Sequence, residues 1–337
     1  MSIPSIDFSA VSGSDPVSRR NVVHQVREAC QSHGFFQLTG HGVPQSLLDA
    51  ALEQSQDFFS LPLDLKEAYD KNIGGYNRGY ERLRAQNFEK KTAGDLKEGY
   101  YFGMDLSEDH PMVKSRKFNM GPNKYPSDVT DAAKFQHVID QYFNAMRDLA
   151  EKIIRVICDS LEVKDDWVSE FVETPIAILR LLHYPPQAPD ASDLERGIGA
   201  HTDFGAITIL LQDLVGGLQV WDRSESQWVD VTPTKGALVV NLGNLMMRWT
   251  NDRFLSNLHR VINKSGQERY SIPFFFSGNP DFLVKCFSNY QDTAEKAKYE
   301  PVTVGEWIAA RYADTYGTSK GKAVGELSVA EASAASS

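Results

Sequence analysis

Three short clusters carry side chains able to hold a metal ion or a carboxylate. In "IGAHTDFGAITILLQD", His201 and Asp203 stand two residues apart beside an apolar run that reads as a strand. Strand residues i and i+2 share a face, so the imidazole and the carboxylate would point at one spot, with Phe204 turned away. Taken alone, such a pair reads equally well as an exposed His–Asp contact at the start of a strand. A metal site needs a third ligand from a neighbouring strand. Of the eight histidines, only His183, His201 and His259 fall in the strand-rich part of the chain, and His259 sits in "SNLHRVIN" with Val261 on its face. Two neutral imidazoles and one carboxylate suit Fe(II) and leave positions open for oxygen and a further ligand. A closed four-ligand set would be structural. In "ERYSIPFFF", Arg269 and Ser271 also share a face. A guanidinium fork beside a hydroxyl is a ready clamp for a carboxylate; the alternative is a surface Arg on an edge strand.

The elements that must carry these residues show in the texture of the sequence. From Thr174 onward, short apolar runs such as "AILRLLHYPP", "AITILLQD", "GLQVWD", "GALVVNLG" and "YSIPFFF" alternate with "VGG", "TPTKG" and "NKSGQ". Many short strands punctuated by turns predict a β-sandwich or jelly roll. Upstream, "IPSIDFSAV" reads as a strand. Residues 15–34 read as a helix with Asp15 as N-cap, Pro16 in the first turn and Gly34 closing it. A strand over "GFFQLTGHGVP", a helix over "PQSLLDAALEQSQDFFSLP" and a long helix from Asp131 to Leu161 follow. Between Lys71 and Pro126 the pattern weakens into Gly-, Tyr- and Asn-rich stretches. These read as functional loops or as a surface excursion. "TVGEWIAARYADTYG" makes a closing helix, and the small, polar "ELSVAEASAASS" reads as a disordered tail.

Composition narrows the class. The chain has 337 residues, 42% hydrophobic and 24% charged, as expected of a globular protein with a sizeable core. A formal charge of -10 argues against nonspecific nucleic-acid binding. Cys30, Cys158 and Cys286 are far apart and odd in number, which favours buried thiols in a reducing compartment. The start lacks the basic and apolar regions of a signal peptide, and no run of about 18 apolar residues marks a membrane span. A cytoplasmic protein with no membrane partner is expected.

Taken together, H-x-D at 201–203, the His at 259 and R-x-S at 269–271 resemble the 2-oxoglutarate/Fe(II)-dependent dioxygenase superfamily. The closest likeness is to the group that includes isopenicillin N synthase. "IPSIDFS" and "HGFFQLTGHGVP" are similar to that group's N-terminal region, "KEGYYFG" and "GPNKYP" to its middle, and "LHYPP", "GGLQVW" and "RWTNDRFLSNLHRVIN" to its core. The resemblance implies a mainly β fold with flanking helices around a distorted double-stranded β-helix, or jelly roll. On this reading residues 1–126 form an N-terminal region of strands, helices and substrate loops, and 127–173 a helical connector. Residues 174–290 form the catalytic jelly roll, 291–317 a C-terminal helix and 318–337 a tail. The resemblance also implies Fe(II) held by His201, Asp203 and His259, and 2-oxoglutarate held at its distal carboxylate by Arg269 and Ser271. Tyr184 takes the place of a Tyr that often helps hold the cosubstrate. Arg180, four residues earlier on the same face, either reaches the pocket or makes a structural ion pair. Two departures stand out: Leu182-His183-Tyr184-Pro185 replaces a frequent Asn-Tyr-Tyr-Pro, and Gly243-Asn244 replaces a frequent Gly-Asp. The second bears on a hydrogen bond near the site.

The implied reaction converts 2-oxoglutarate and O2 to succinate and CO2 while oxidising a C–H bond of a small molecule of specialised metabolism. Hydroxylation, desaturation, cyclisation and ring expansion are all open. One alternative is an Fe(II) oxidase of the same fold that uses no 2-oxoglutarate, as in isopenicillin N synthase, because R-x-S occurs there too. Another is a non-redox metal-binding protein or zinc hydrolase, for which the chain shows no H-E-x-x-H helix. A substrate wall is expected from the Tyr76–Gly103 loops with Tyr76, Tyr80, Tyr100, Tyr101 and Phe102, and with Phe204 and Phe276 nearby. Such a wall suits a largely apolar or aromatic ligand. The competing expectation is that these aromatics only pack the loops onto the core.

Overall fold

The computed structural model describes residues 3–88, 94–164, 167–188, 195–290 and 296–315, so the expected tail at 318–337 lies outside the described residues. The strands are β1 (Ser5–Asp7), β2 (Phe35–Thr39), β3 (Gly79–Glu81), β4 (Glu98–Gly103), β5 (Ile176–Tyr184), β6 (Ile198–His201) and β7 (Ile207–Gln212). They continue as β8 (Leu218–Asp222), β9 (Gln227–Asp230), β10 (Leu238–Leu242), β11 (His259–Val261), β12 (Arg269–Gly278), β13 (Leu283–Val284) and β14 (Val302–Thr303). The helices are α1 (Pro16–Ser32), α2 (Gln45–Phe59), α3 (Leu63–Glu67), α4 (Pro111–Lys114), α5 (Ala132–Leu161), α6 (Val168–Val172), α7 (Asn244–Trp249) and α8 (Val304–Thr315).

Local chemistry explains the helix ends. The Asp15 carboxylate accepts from the backbone N–H of Val17 and of Ser18, and Pro16 opens α1. Beyond its end, Gly34 takes φ +67, where a Cβ would lie 2.3 Å from the Leu255 carbonyl oxygen. That close approach requires glycine. Asp131 caps α5 in the same way, through the N–H of Lys134. Most buried side chains of α5 recur at helical spacing and, with α1 and α2, cover one face of the main sheet.

That sheet has eight strands in the order β1-β2-β10-β7-β12-β5-β4-β3, all antiparallel except the β1–β2 pair. A second sheet, β6-β11-β8-β9, faces it. Between them lies a small core of Phe35, Leu182, Tyr184, Ile198, Leu218, Val220, Val231, Val239 and Val261. This is the expected jelly roll with helices on one side. Alternation sorts β12: Ile272, Phe274 and Phe276 enter the helix-side core, while Arg269, Ser271, Pro273, Phe275 and Ser277 line the interior.

The stretch between Lys71 and Pro126 departs from expectation. Strands β3 and β4 extend the main sheet beside β5, so this part is not merely loops. Its "EGYYFG" run is buried at every position, which removes the polar–apolar alternation that marks a half-exposed strand. Buried ion pairs fasten the addition. Glu81 meets Lys71, Lys97 at 3.1 Å and the Tyr101 hydroxyl at 2.6 Å. Glu98 meets Lys66 at 2.8 Å, the Tyr80 hydroxyl at 2.6 Å and His183 Nδ1 at 2.8 Å. All three cysteines are buried as thiols. Among the described residues no helix is long and apolar enough to cross a membrane.

Candidate metal and carboxylate site

Two neighbouring strands of the second sheet, and the turn that leads from it to the main sheet, bring the first cluster together. His259 on β11 pairs directly with His201 on β6, and the turn after β6 carries Asp203. Ligand atoms from the three residues all lie within 4.8 Å of one another. His201 Nε2 and His259 Nε2 each stand 3.7 Å from Asp203 Oδ1. The opposite ring nitrogens are fixed by the backbone: His201 Nδ1 lies 2.8 Å from the Gly199 carbonyl oxygen, and His259 Nδ1 lies 3.2 Å from that of Asn257. A carbonyl only accepts, so both Nδ1 atoms carry the proton and both Nε2 lone pairs face Asp203. Burial, reinforced by repulsion from His259, holds the His201 pKa down to about 3, so the ring is neutral near pH 7.

Asp203 is shaped for the same end. Its Oδ2 accepts from the Thr208 hydroxyl at 2.5 Å and from Asn241 Nδ2 at 2.7 Å, which leaves Oδ1 toward the imidazoles. Burial pushes its pKa up, but the two histidines and these two donors outweigh that and hold it below the usual carboxylate value. The turn is tightly seated. A Cβ on Gly243 would lie 2.3 Å from the Gly205 carbonyl oxygen, and the Asn244 N–H donates to the Asp203 carbonyl at 2.8 Å. The Asn244 side chain bonds Thr202 and Ser256, so the departure from Gly-Asp alters the flank of the turn and not the Asp203 carboxylate itself.

The second cluster lies on β12 in the same cavity. Arg269 is fully buried, its guanidinium over the Tyr184 ring at 4.7 Å. Nε donates to the Gly216 carbonyl at 2.6 Å and Nη2 to Gln212 Oε1 at 3.1 Å. Nη1 has no hydrogen-bond partner among the described residues. A buried cation left with an unused N–H is costly unless an anion meets it. Ser271 and Tyr184 line the cavity beside it. The residues therefore fit both an Fe(II) ion and a carboxylate-bearing ligand. His183 turns away from the cavity, between Glu98 and Glu268.

The cavity encloses about 930 Å³ including its open mouth. Beyond the two clusters its wall contains Arg180, Phe204, Gln86, Phe88, Phe275 and Tyr312. Phe88 stacks on the His201 ring at 4.4 Å, and Trp307 of α8 donates to the Phe204 carbonyl at 2.8 Å. Arg180 reaches the cavity. It lies between the Tyr101 and Phe275 rings and donates from Nη2 to the Tyr312 hydroxyl at 2.7 Å.

Six expected wall residues are elsewhere, among them Tyr80, Tyr100 and Phe102, which are buried in the helix-side core. Phe276 points into the helix-side core against Phe171, because it has the opposite parity to Arg269 and Ser271. Tyr101 is fully buried one layer behind Arg180. Tyr76 packs against Gly121 outside the cavity lining. The stretch reaches the cavity through Gln86 and Phe88 instead. Sequence reasoning also missed Thr208 and Asn241. Strand alternation could have found Thr208, which shares its face with Leu210 and Gln212, and Phe275, which shares its face with Ser271.

Known proteins show the same frame. A family model described as the non-haem dioxygenase in morphine synthesis N-terminal matches residues 3–128, and that of the 2OG-Fe(II) oxygenase superfamily matches residues 175–278. The chain is 49% identical to the 2-oxoglutarate-Fe(II) type oxidoreductase hxnY of Emericella nidulans, over 93% of this chain and 90% of the relative. It is 42% identical to a 2-oxoglutarate-Fe(II) type oxidoreductase of Aspergillus fumigatus, over 91% of each. Among solved structures, a full-length Neurospora crassa protein in complex with alpha-KG superposes with a TM-score of 0.83 at 29% identity, covering 93% of this chain and 96% of that one.

Proposed function

The chain belongs to the 2OG-Fe(II) oxygenase superfamily, and on that premise we propose that His201, Asp203 and His259 hold its Fe(II) while Arg269 and Ser271 grip the distal carboxylate of 2-oxoglutarate. It is an oxidoreductase whose cosubstrates are 2-oxoglutarate and O2. Bound Fe(II) supplies oxygen activation, with 2-oxoglutarate as the two-electron reductant that leaves as succinate and CO2. The chain's own residues orient and exclude. The backbone carbonyls of Gly199 and Asn257 keep both Nε2 lone pairs available, and Thr208 and Asn241 stop Asp203 from rotating. Tyr184 supports the Arg269 guanidinium from one face.

For the substrate we infer a small, largely apolar or aromatic molecule with a few polar groups, oxidised at a C–H bond in specialised metabolism in the cytoplasm. Phe88, Phe204, Phe275 and Tyr312 offer the apolar wall, and Arg180 a fixed polar contact. One observation carries the cosubstrate assignment. Arg269 is a buried guanidinium whose Nη1 has no partner among the described residues, on the cavity that also holds the three converging ligand atoms. The test is a metal-stripped preparation reloaded with Fe(II). Succinate should form from 2-oxoglutarate only after reloading, and His201→Ala or His259→Ala should abolish it. Product formation without succinate would instead identify an oxidase that needs no 2-oxoglutarate.

A further inference from the structure

β6 carries His201 but, among the described residues, is an edge strand paired only with β11. Backbone groups on an edge have no ladder partner on one side. Here a short piece of chain takes that place. The Leu96 N–H donates to the Arg196 carbonyl at 2.8 Å, and the Gly199 N–H donates to Asp95 Oδ1 at 2.9 Å. Gly199 is the residue whose carbonyl fixes His201 Nδ1. Asp95 is also tied to the cavity wall, since its own N–H donates to the Gln86 carbonyl at 2.9 Å. Two residues on, Phe88 covers the face of the His201 ring.

Asp95 is 1% exposed; burial opposes its charge, which Lys97 and the backbone N–H groups of Gly199 and Phe88 offset in part. Such a buried carboxylate is costly to keep and calls for a reason. Gly199 has no side chain to restrict its backbone, so anchoring its N–H removes one of the freedoms by which its carbonyl could turn from His201.

We propose that Asp95 is a positioning residue for the metal ligand His201, clamping Gly199 on the edge strand and joining it to the Gln86–Phe88 wall. The inference rests on His201 being a metal ligand. It goes beyond that assignment by making a residue of the N-terminal region part of the metal site's support. The hydrogen bond, not the charge, performs the clamping. Asn keeps an acceptor at the same reach, whereas Leu fills the volume without one.

The test is Co(II) titration of metal-free, folded protein, read by the visible d–d bands. Asp95→Leu should weaken Co(II) roughly tenfold to a hundredfold, the usual effect of losing a group that orients a ligand, and should change the band pattern. Asp95→Asn should stay within a few-fold of wild type with unchanged bands. If Asp95→Leu does not fold, Asp95→Ser, whose hydroxyl is too short to reach Gly199, carries the same expectation. Wild-type affinity and spectrum in the Leu or Ser variant would overturn the clamp. Equal weakening in Asp95→Asn would also overturn it, by making the buried charge the cause. Co(II) binding that survives His201→Ala unchanged would refute the ligand assignment instead, and the two failures are distinguishable.

Discussion

The two oxygens of Asp203 have different surroundings: Oδ2 is taken by Thr208 and Asn241, while Oδ1 faces the two imidazoles, where the proposed metal would sit. Replacing both donors, as Thr208→Val with Asn241→Leu, should free the carboxylate to rotate and weaken Fe(II) binding roughly tenfold to a hundredfold. A metal titration checks this, and unchanged affinity would remove the donors from the site. Arg269→Gln should cost on the order of 2–5 kcal/mol in 2-oxoglutarate binding and leave the main substrate's KM nearly unmoved. Ser271→Ala should cost on the order of 1 kcal/mol. Paired KM measurements separate these expectations. His201, Asp203, Arg269 and Ser271 were legible because each pair lies two apart on one strand or its continuation. Asn241 was not, because it is brought to Asp203 only when β10 pairs beside β7. Its sequence neighbourhood, "VVNLG", carries no sign of that meeting.

Within an element, parity decides what a side chain can touch. Phe275 and Phe276 are adjacent, yet one lines the cavity and the other packs among Phe171 and the helix-side core. Phe276→Ala should therefore lower stability by about 3–5 kcal/mol, as for other buried aromatics. Phe275→Ala should mainly disturb the substrate, raising succinate formed per product. Denaturant unfolding and a coupling assay on the two variants test this, and the reverse pattern would mean that β12 is placed one residue out of register. Tyr101→Ala should behave like Phe276→Ala, because its ring supports Arg180 and its hydroxyl binds Glu81. The longer helices α1, α2, α5 and α8 were readable from caps and period, whereas α3, α4, α6 and α7 are too short to show a period. β3 and β4 were harder to see, since a strand buried on both faces shows no alternation, and Gly and Tyr suggested loops.

Across the whole molecule, the N-terminal hundred residues and the catalytic strands share buried charges. Burial pushes the Glu81 carboxyl up, but Lys97, Lys71 and Arg180 outweigh this and hold its pKa well below the ordinary 4.5. A carboxylate depressed on folding contributes stability that is present above its unfolded pKa and is lost as pH falls below it. Glu81→Gln should thus cost about 3–5 kcal/mol at pH 7, because Lys71 and Lys97 lose their buried counterion. It should also flatten the fall in stability below about pH 4.5, the ordinary carboxylate range. Urea titrations of both proteins at several acid pH values check the sign, and parallel curves would contradict it. The jelly roll was legible from its evenly spaced turns. The joining of both ends of its main sheet to the N-terminal region was not, because strand order across such distances leaves no local mark. That joining has a consequence for heredity. The front of the chain supplies neighbours on two sides: β2 meets β10 from Phe35↔Asn241 to Leu38↔Leu238, and β4 meets β5 from Glu98↔His183 to Gly103↔Ile178. A recombinant that takes its front third from one relative and the remainder from another must match both seams at once. A fragment of residues 174–290 alone would bare two raw edges and aggregate. Such a gene can diverge by substitution far more readily than it can be cut and respliced.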